Sequence, residues 1–299
     1  MICDTPRADQ QPASSDLPGV IMSNRPDVSA IAAHYARQDP TAAILAALQS
    51  AGKNIDALEP EDLTPVDQFH SRGRPATLDL AAHAGLAADM RVLDVGGGIG
   101  GAARTLAQSF GCEVTVLDLT EAYCRAGEAL TARVGLSDRV RFRHGSALDI
   151  PFADASFDLV WTQHSSMNVA DKARLYGEIA RVLRPGARFA LHEIMAGPGG
   201  PVHFPVPWAR TADISHLLAP EPTRQLIASH AMAERVWIDE TPGVLAWFEK
   251  GAAAAREGKL PPVGLHLLLG PEFGTMFANQ VRNLREDRIR VVQAVFERR

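Results

Sequence analysis

The sequence predicts an α/β protein in which a mostly parallel sheet carries helices on both faces. Three features predict it. From residue 90 onward short apolar strands alternate with amphipathic helices. The first strand runs directly into a glycine-rich turn, VLDVGGGIGG (92–101), and the second closes on an acid, Asp118.

Order is expected to begin near Pro26, behind a tail (1–25) whose Pro, Ser, Asp and Gln content reads as flexible. DVSAIAAHYARQDP (27–40) spaces its apolar residues for a helix and stops at a proline. TAAILAALQSAG (41–52) follows with a threonine cap and a closing glycine. A polar connector then leads to DQFHSRG (67–73) and to a short amphipathic helix, ATLDLAAHAGL (76–86). With no strand among them, these segments form a helical lid over residues 26–85.

The core, residues 86–196, alternates strand and helix. RVLDV (91–95), EVTVLDL (113–119), VRFRHG (140–145), FDLVWTQH (157–164) and ARFALHEI (187–194) are strands. GAARTLAQSF (101–110), AYCRAGEALTARVG (122–135) and DKARLYGEIARVL (171–183) are helices, the last halted by RPG. AGPGGPVHFPVPW (196–208) is dense in proline and glycine, so residues 197–225 read as an insertion that caps the sheet. Residues 226–299 complete the core. Helices are expected at PTRQLIASHAMAE (222–234), GVLAWFEKGAAAAREG (243–258) and from Pro271 to Leu284, and strands at RVWIDET (235–241) and RIRVVQAVF (288–296). Seven strands result.

Composition narrows the function. A chain of 299 residues that is 46% hydrophobic suits one large domain with appended elements. A net charge of -5 offers no basic footprint, which argues against a nucleic-acid partner. Cys3, Cys112 and Cys124 are too few and too badly spaced for a disulfide framework or a zinc site, so no metal is expected and the cytoplasm is the expected compartment. No apolar run approaches the roughly 20 residues of a membrane span. The N-terminus lacks the basic start and apolar stretch of a signal peptide.

The glycine turn admits two ligand classes. Gly96-x-Gly98-x-x-Gly101 suits a dinucleotide, and Gly96-x-Gly98-x-Gly100 suits S-adenosylmethionine (SAM). The glycines cannot choose, but Asp94 can. A carboxylate beside a pyrophosphate is repulsive, whereas SAM presents an ammonium and a sulfonium that attract it. Asp118, with Leu119 beyond it, can accept both ribose hydroxyl protons of either ligand.

The stretch GSALDIPFADASFDLVWTQHSSMNVADKARLYGEIARVLRPGARFALHE (145–193) resembles the second half of a class I SAM-dependent methyltransferase core. DQFHSRG and HFPVPW (203–208) resemble, within that class, the sarcosine/dimethylglycine N-methyltransferase-like branch of bacterial small-molecule methyltransferases. The resemblance implies a Rossmann-like fold with a seven-stranded, mostly parallel sheet, and a cofactor site made by Asp94, Gly96, Gly98, Gly100, Asp118, Leu119, Ser146, Ala147 and Gln163. It departs from the family at Ser146–Ala147, where an acid often precedes the alanine. It departs again at Ala231–Met232, where the family has Gly-Phe and the turn is expected to be built differently. At Gly186–Ala187 the change from Gly-Gly is harmless.

The expected activity is methyl transfer from SAM to a small-molecule acceptor, at an amine nitrogen or a hydroxyl or carboxylate oxygen, by a monomer or homodimer. Sulfur or carbon acceptors stay open, as do an NAD(P)-dependent oxidoreductase and a non-catalytic SAM-fold sensor. Histidine is the usual group for taking a proton from such an acceptor. His164 ends the fourth strand at the rim where acceptor and cofactor meet. His192, beside Glu193, ends the fifth and is expected to face the same bowl, and His70 in DQFHSRG reads as an entrance residue. Tyr35 could close over a sulfonium, and Phe204 and Trp208 could wall the acceptor.

Overall fold

The computed structural model describes residues 1, 34–35, 39–257 and 261–299. The expected tail, and all of the first helix except His34 and Tyr35, lie outside the described residues; those two are helical. Seven strands form a single sheet of order β3-β2-β1-β4-β5-β7-β6. They are β1 (Arg91–Val95), β2 (Glu113–Asp118), β3 (Val140–His144), β4 (Phe157–Gln163), β5 (Leu183–Ala196), β6 (Met232–Asp239) and β7 (Ile289–Arg298). Only β7 runs against its neighbours, β5 and β6. The order reverses between β1 and β4, so a crevice opens there at the carboxyl ends of the strands.

Both faces of the sheet are buried, as a parallel sheet requires. On one face α6 (Lys172–Val182) and α7 (Pro220–Ser229) cover Leu93, Val95 and Phe189 with Leu175, Ile179 and Ile227. On the other, α3 (Arg74–Ala84) and α4 (Gly101–Phe110) cover Val92, Val114 and Trp161 with Leu80, Ala84 and Leu106. Thus α3, which the sequence groups with the lid, packs on the sheet itself. The lid material lies before it. There α1 (Thr41–Ser50) and α2 (Pro60–Asp67) pack Ile44, Leu48, Leu63 and Val66 against Ile99 and against Tyr123 and Leu130 of α5 (Glu121–Arg133).

Two local readings change. The polar connector contains α2, which has Pro60 at its first position and a capping box between Glu59 and Asp62. The helix after the insertion starts at Pro220 and ends at Ser229, because Ala231 turns the chain with φ 57 and β6 begins at once. Ala231 therefore adopts the left-handed conformation that glycine takes without strain. The RPG stop ends α6 as expected, and Leu183 pairs with Phe157 before a register shift carries β5 onward.

The remaining helices, α8 (Thr241–Arg256), α9 (His266–Leu269) and α10 (Phe273–Arg285), follow the insertion. Val244 and Phe248 of α8 and Leu284 of α10 pack with Val206 and Trp208 of the insertion and Ile194 of β5. Among the described residues, no helix is long and apolar enough to cross a membrane.

Candidate active site

A cavity opens at the β1/β4 switch point and runs along the tips of the strands. It is lined by Asp94 of β1 and Gly96–Gly98 of the turn after it, by Asp118 at the end of β2 and Leu119 beyond it, and by Ser146–Leu148 after β3. Gln163, His164 and Ser165 close it at the end of β4, and Tyr35 and His70 close it from above.

Its floor is acidic. Asp94 is buried and its Oδ2 has no hydrogen-bond partner. Burial, reinforced by Asp118, raises its pKa to about 7. Asp118 is held by two backbone amides: Gly98 N donates to Oδ2 at 2.9 Å and Thr120 N to Oδ1 at 2.8 Å. Burial still raises its pKa. The third lining acid, Asp67, is neutralised by Arg104 at 2.9 Å, a pair buried on both sides. No lysine or arginine lines the cavity among the described residues.

The five glycines divide their labour. A Cβ on Gly98 would meet only Tyr123 Cδ2, at 3.9 Å, so this position keeps the cavity free at a φ of +58. A Cβ on Gly97 would strike Asp94 Oδ2 at 2.4 Å, and one on Gly96 would strike Ser165 Cβ at 2.4 Å. Gly100 does not line the cavity. It turns the chain into α4 with φ 83, under Phe142, where a Cβ would come within 2.5 Å. Gly101 lets the end of α2 approach: its Cβ would lie 2.0 Å from the Asp67 carbonyl oxygen. The loop thus serves packing as much as ligand, and Gly100 belongs to the packing.

Three histidines gather beyond Gln163. The ring of His164 lies 4.8 Å from His192 and 6.3 Å from His70. His164 lines the cavity from a left-handed backbone (φ 49), and its Nε2 has no partner. Burial lowers its pKa well below the ordinary value, so the ring is neutral at pH 7. His192 does not face the bowl. It is fully buried beside His164 and is not among the residues that line this cavity, because its strand runs on to Ala196 and leaves it inside the sheet. His70 lines the cavity, with Nε2 3.1 Å from the Gly73 carbonyl oxygen. A carbonyl only accepts, so this nitrogen carries the proton. Burial lowers the His70 pKa to about 4.

Gln163 lines the cavity, but its amide is committed elsewhere. Oε1 accepts from Trp161 Nε1 at 3.0 Å and from Thr77 Oγ1 at 3.1 Å, and Nε2 donates to His192 Nδ1 at 3.4 Å. Ser146 Oγ likewise accepts from Leu148 N at 3.1 Å, while Ala147 and Leu119 offer the cavity apolar contact.

Several site residues carry no local signal in the sequence. Asn168, after β4, accepts from the Tyr35 hydroxyl at 2.9 Å and donates to the carbonyls of Trp208 and Ile214 at 2.8 Å. It ties the N-terminal segment to the insertion. Glu193 accepts from the Ser166 amide at 3.2 Å, and burial raises its pKa. The companion Lys172 donates to the Val169 carbonyl at 2.8 Å, and burial lowers its pKa to about 8. The two brace the loop that carries Ser165 and Asn168.

Residues 93–191 match a family model described as a methyltransferase domain. Over 100 residues the chain is 45% identical to a protein named "Probable tocopherol O-methyltransferase, chloroplastic" from Oryza sativa subsp. japonica, covering 33% of this chain and 28% of that one. Over 133 residues it is 34% identical to the glycine/sarcosine/dimethylglycine N-methyltransferase of Actinopolyspora halophila, covering 44% of this chain and 24% of that one. The matches thus span about a quarter of these two relatives' length, 28% and 24%. In three dimensions it is similar to geranyl diphosphate C-methyltransferase from Streptomyces coelicolor A3(2), with a TM-score of 0.68 at 20% identity over 92% of this chain and 99% of that chain. The fold is that of the class I methyltransferases.

Proposed function

We propose that this chain, whose residues 93–191 match a methyltransferase domain, is a SAM-dependent methyltransferase of a small-molecule acceptor, releasing S-adenosylhomocysteine. Asp94 carries the reading. A buried carboxylate oxygen without a partner, in a cavity whose lining has no lysine or arginine among the described residues, suits a cationic ligand. A pyrophosphate would meet the Asp94 and Asp118 carboxylates with no lysine or arginine of the described lining to offset them, which weighs against a nicotinamide dinucleotide.

The residues present fit SAM in order along the strand tips. Asp94 would hold the ammonium, Asp118 the ribose hydroxyls, and Leu119 with Ser146, Ala147 and Leu148 would enclose the adenine. Bound there, SAM supplies a methyl group that passes to an acceptor lone pair while a neutral thioether leaves. The chain's own tasks are then to align the acceptor, keep water out and receive a proton where the acceptor carries one. Tyr35 and His70 cover the cavity. His164 Nε2, neutral and without a protein partner, is placed to take the proton of a hydroxyl or N–H acceptor. His70 contacts the acceptor, and His192 and Gln163 position these two rings from behind.

Titration calorimetry with SAM, S-adenosylhomocysteine and NAD tests the reading. Wild-type protein should bind the first two and not NAD. Asp94→Asn should weaken SAM by about tenfold or more, since a charge-assisted bond is worth about 1.5–3 kcal/mol. SAM binding equal in both proteins, or preference for NAD, would overturn it.

A further inference from the structure

A second chamber adjoins the first behind His164. The two share Tyr35, Phe69, His70 and His164 as their common wall. Beyond that wall the lining is Met167, Ile194, Trp208, Phe248 and Phe277, with Trp247 at a rim that leaves it 40% exposed. These side chains come from β5, the insertion, α8 and α10 and from the loop after β4, so no single stretch of sequence announces them.

Two chemical facts describe the chamber. Its lining contains no Asp, Glu, Lys or Arg among the described residues, and burial keeps both of its histidines neutral at pH 7. An amino acid or a phosphorylated acceptor would find no counter-charge there, and burying an unpaired charge is costly. Yet the chamber is not purely apolar. Ser71 Oγ and Gln280 Oε1 are buried without partners, and Gln280 is only 1% exposed. With His164 Nε2 they make three unsatisfied polar atoms on an aromatic wall. Buried polar groups left unpaired are exceptions that need explaining.

Resting on the methyltransferase reading, we propose that this chamber holds the methyl acceptor, an uncharged and largely apolar ring compound bearing a hydroxyl or N–H. The aromatic side chains enclose the ring. Gln280 and Ser71 hold its polar substituents, and the group to be methylated points through the shared wall at His164. Selection is by exclusion as well as by fit: a zwitterion loses its hydration on entry and gains no ion pair.

The full chain is first titrated with S-adenosylhomocysteine, and the loaded protein then with 2,6-dihydroxynaphthalene, 2-naphthol and sarcosine. Saturable binding of both naphthalenes is expected and none of sarcosine. Gln280→Leu should weaken 2,6-dihydroxynaphthalene by about three- to tenfold, the worth of one hydrogen bond, and change 2-naphthol, whose one hydroxyl goes to His164, by less than about twofold. This variant removes an amide whose Oε1 has no partner, so it should fold; Trp247→Ala, at the open rim, is the second variant and should weaken both naphthalenes. Sarcosine binding, no binding of either naphthalene, or 2,6-dihydroxynaphthalene affinity unmoved by both variants would overturn the acceptor class while leaving the cofactor reading standing. Failure to bind S-adenosylhomocysteine would remove both.

Discussion

Asp94 and His164 can be told apart by pH. Asp94 is raised to about 7 by burial and by Asp118, from an ordinary carboxyl near 3.8. Between those values the folded chain keeps a proton that the unfolded chain has lost. The contribution of Asp94 to the stability of the free protein should therefore fall as pH rises from about 4 to about 7. The buried, neutral His70, His164 and His192 contribute in the opposite direction, so the Asp94 part is read as the difference between wild type and Asp94→Asn. Asp94→Asn removes that contribution, so at pH 8 urea denaturation should find it about 1–3 kcal/mol more stable than wild type even though it binds SAM more weakly. A cationic ligand needs the ionised form, so kcat/KM for SAM should decline below about pH 7. His164 moves the other way. Its pKa lies well below 6.5, so kcat at saturation should stay flat until the pH is far under that value. His164→Ala should lower kcat by about 10²–10⁴-fold with SAM affinity little changed. A kcat within twofold of wild type in steady-state assays would take His164 out of the chemistry.

Elements meet around the site through a few contacts that fix its shape. Arg104 of α4 and Asp67 of α2 form a pair buried on both sides, and Arg104 also donates to Thr131 of α5 at 2.9 Å. Breaking it should be worse than replacing it. Arg104→Met alone leaves a buried carboxylate at the cavity and should cost about 3–5 kcal/mol, while Asp67→Leu/Arg104→Met should come close to wild type in urea denaturation. The turn from α7 into β6 offers the opposite case. Ala231 holds φ 57, and glycine has no steric penalty there. Ala231→Gly should therefore stabilise by about 0.5–1 kcal/mol, visible as a small rise in melting temperature.

Across the whole molecule, a sandwich of sheet and helices carries the floor of the site, and separate segments supply its roof. The sandwich includes α3, so truncation has a natural limit. Removing residues 1–58 takes away Tyr35, α1 and their cover over Ile99 and Tyr123, but leaves α3 against Val92 and Trp161. Circular dichroism should show the α/β core intact, with turnover lost as water gains entry. Full turnover in that truncation would deny the segment any role in closing the site.

The sequence by itself determined the seven strands and the acid-glycine turn, and it set a carboxylate, Asp94, beside that turn. These rest on local rules: strand and helix periods, glycine at positive φ, and the sign of one charge beside a backbone loop. It also placed Gly98, Asp118 and His164 at the rim, because strand ends in a parallel sheet share one edge. Only the tertiary structure decided the rest. It buried His192, which the end of a strand would have exposed had β5 not continued to Ala196. It assigned Gly100 and Gly101 to helix packing, through Phe142 and the Asp67 carbonyl, which lie 42 and 34 positions away in the chain (142 − 100 and 101 − 67). It engaged Gln163 with Trp161, Thr77 and His192. It also assembled the apolar chamber from α8, α10 and the insertion. Such contacts join residues far apart in the chain, and their geometry follows from how the helices settle on the sheet, which no local pattern of residues encodes.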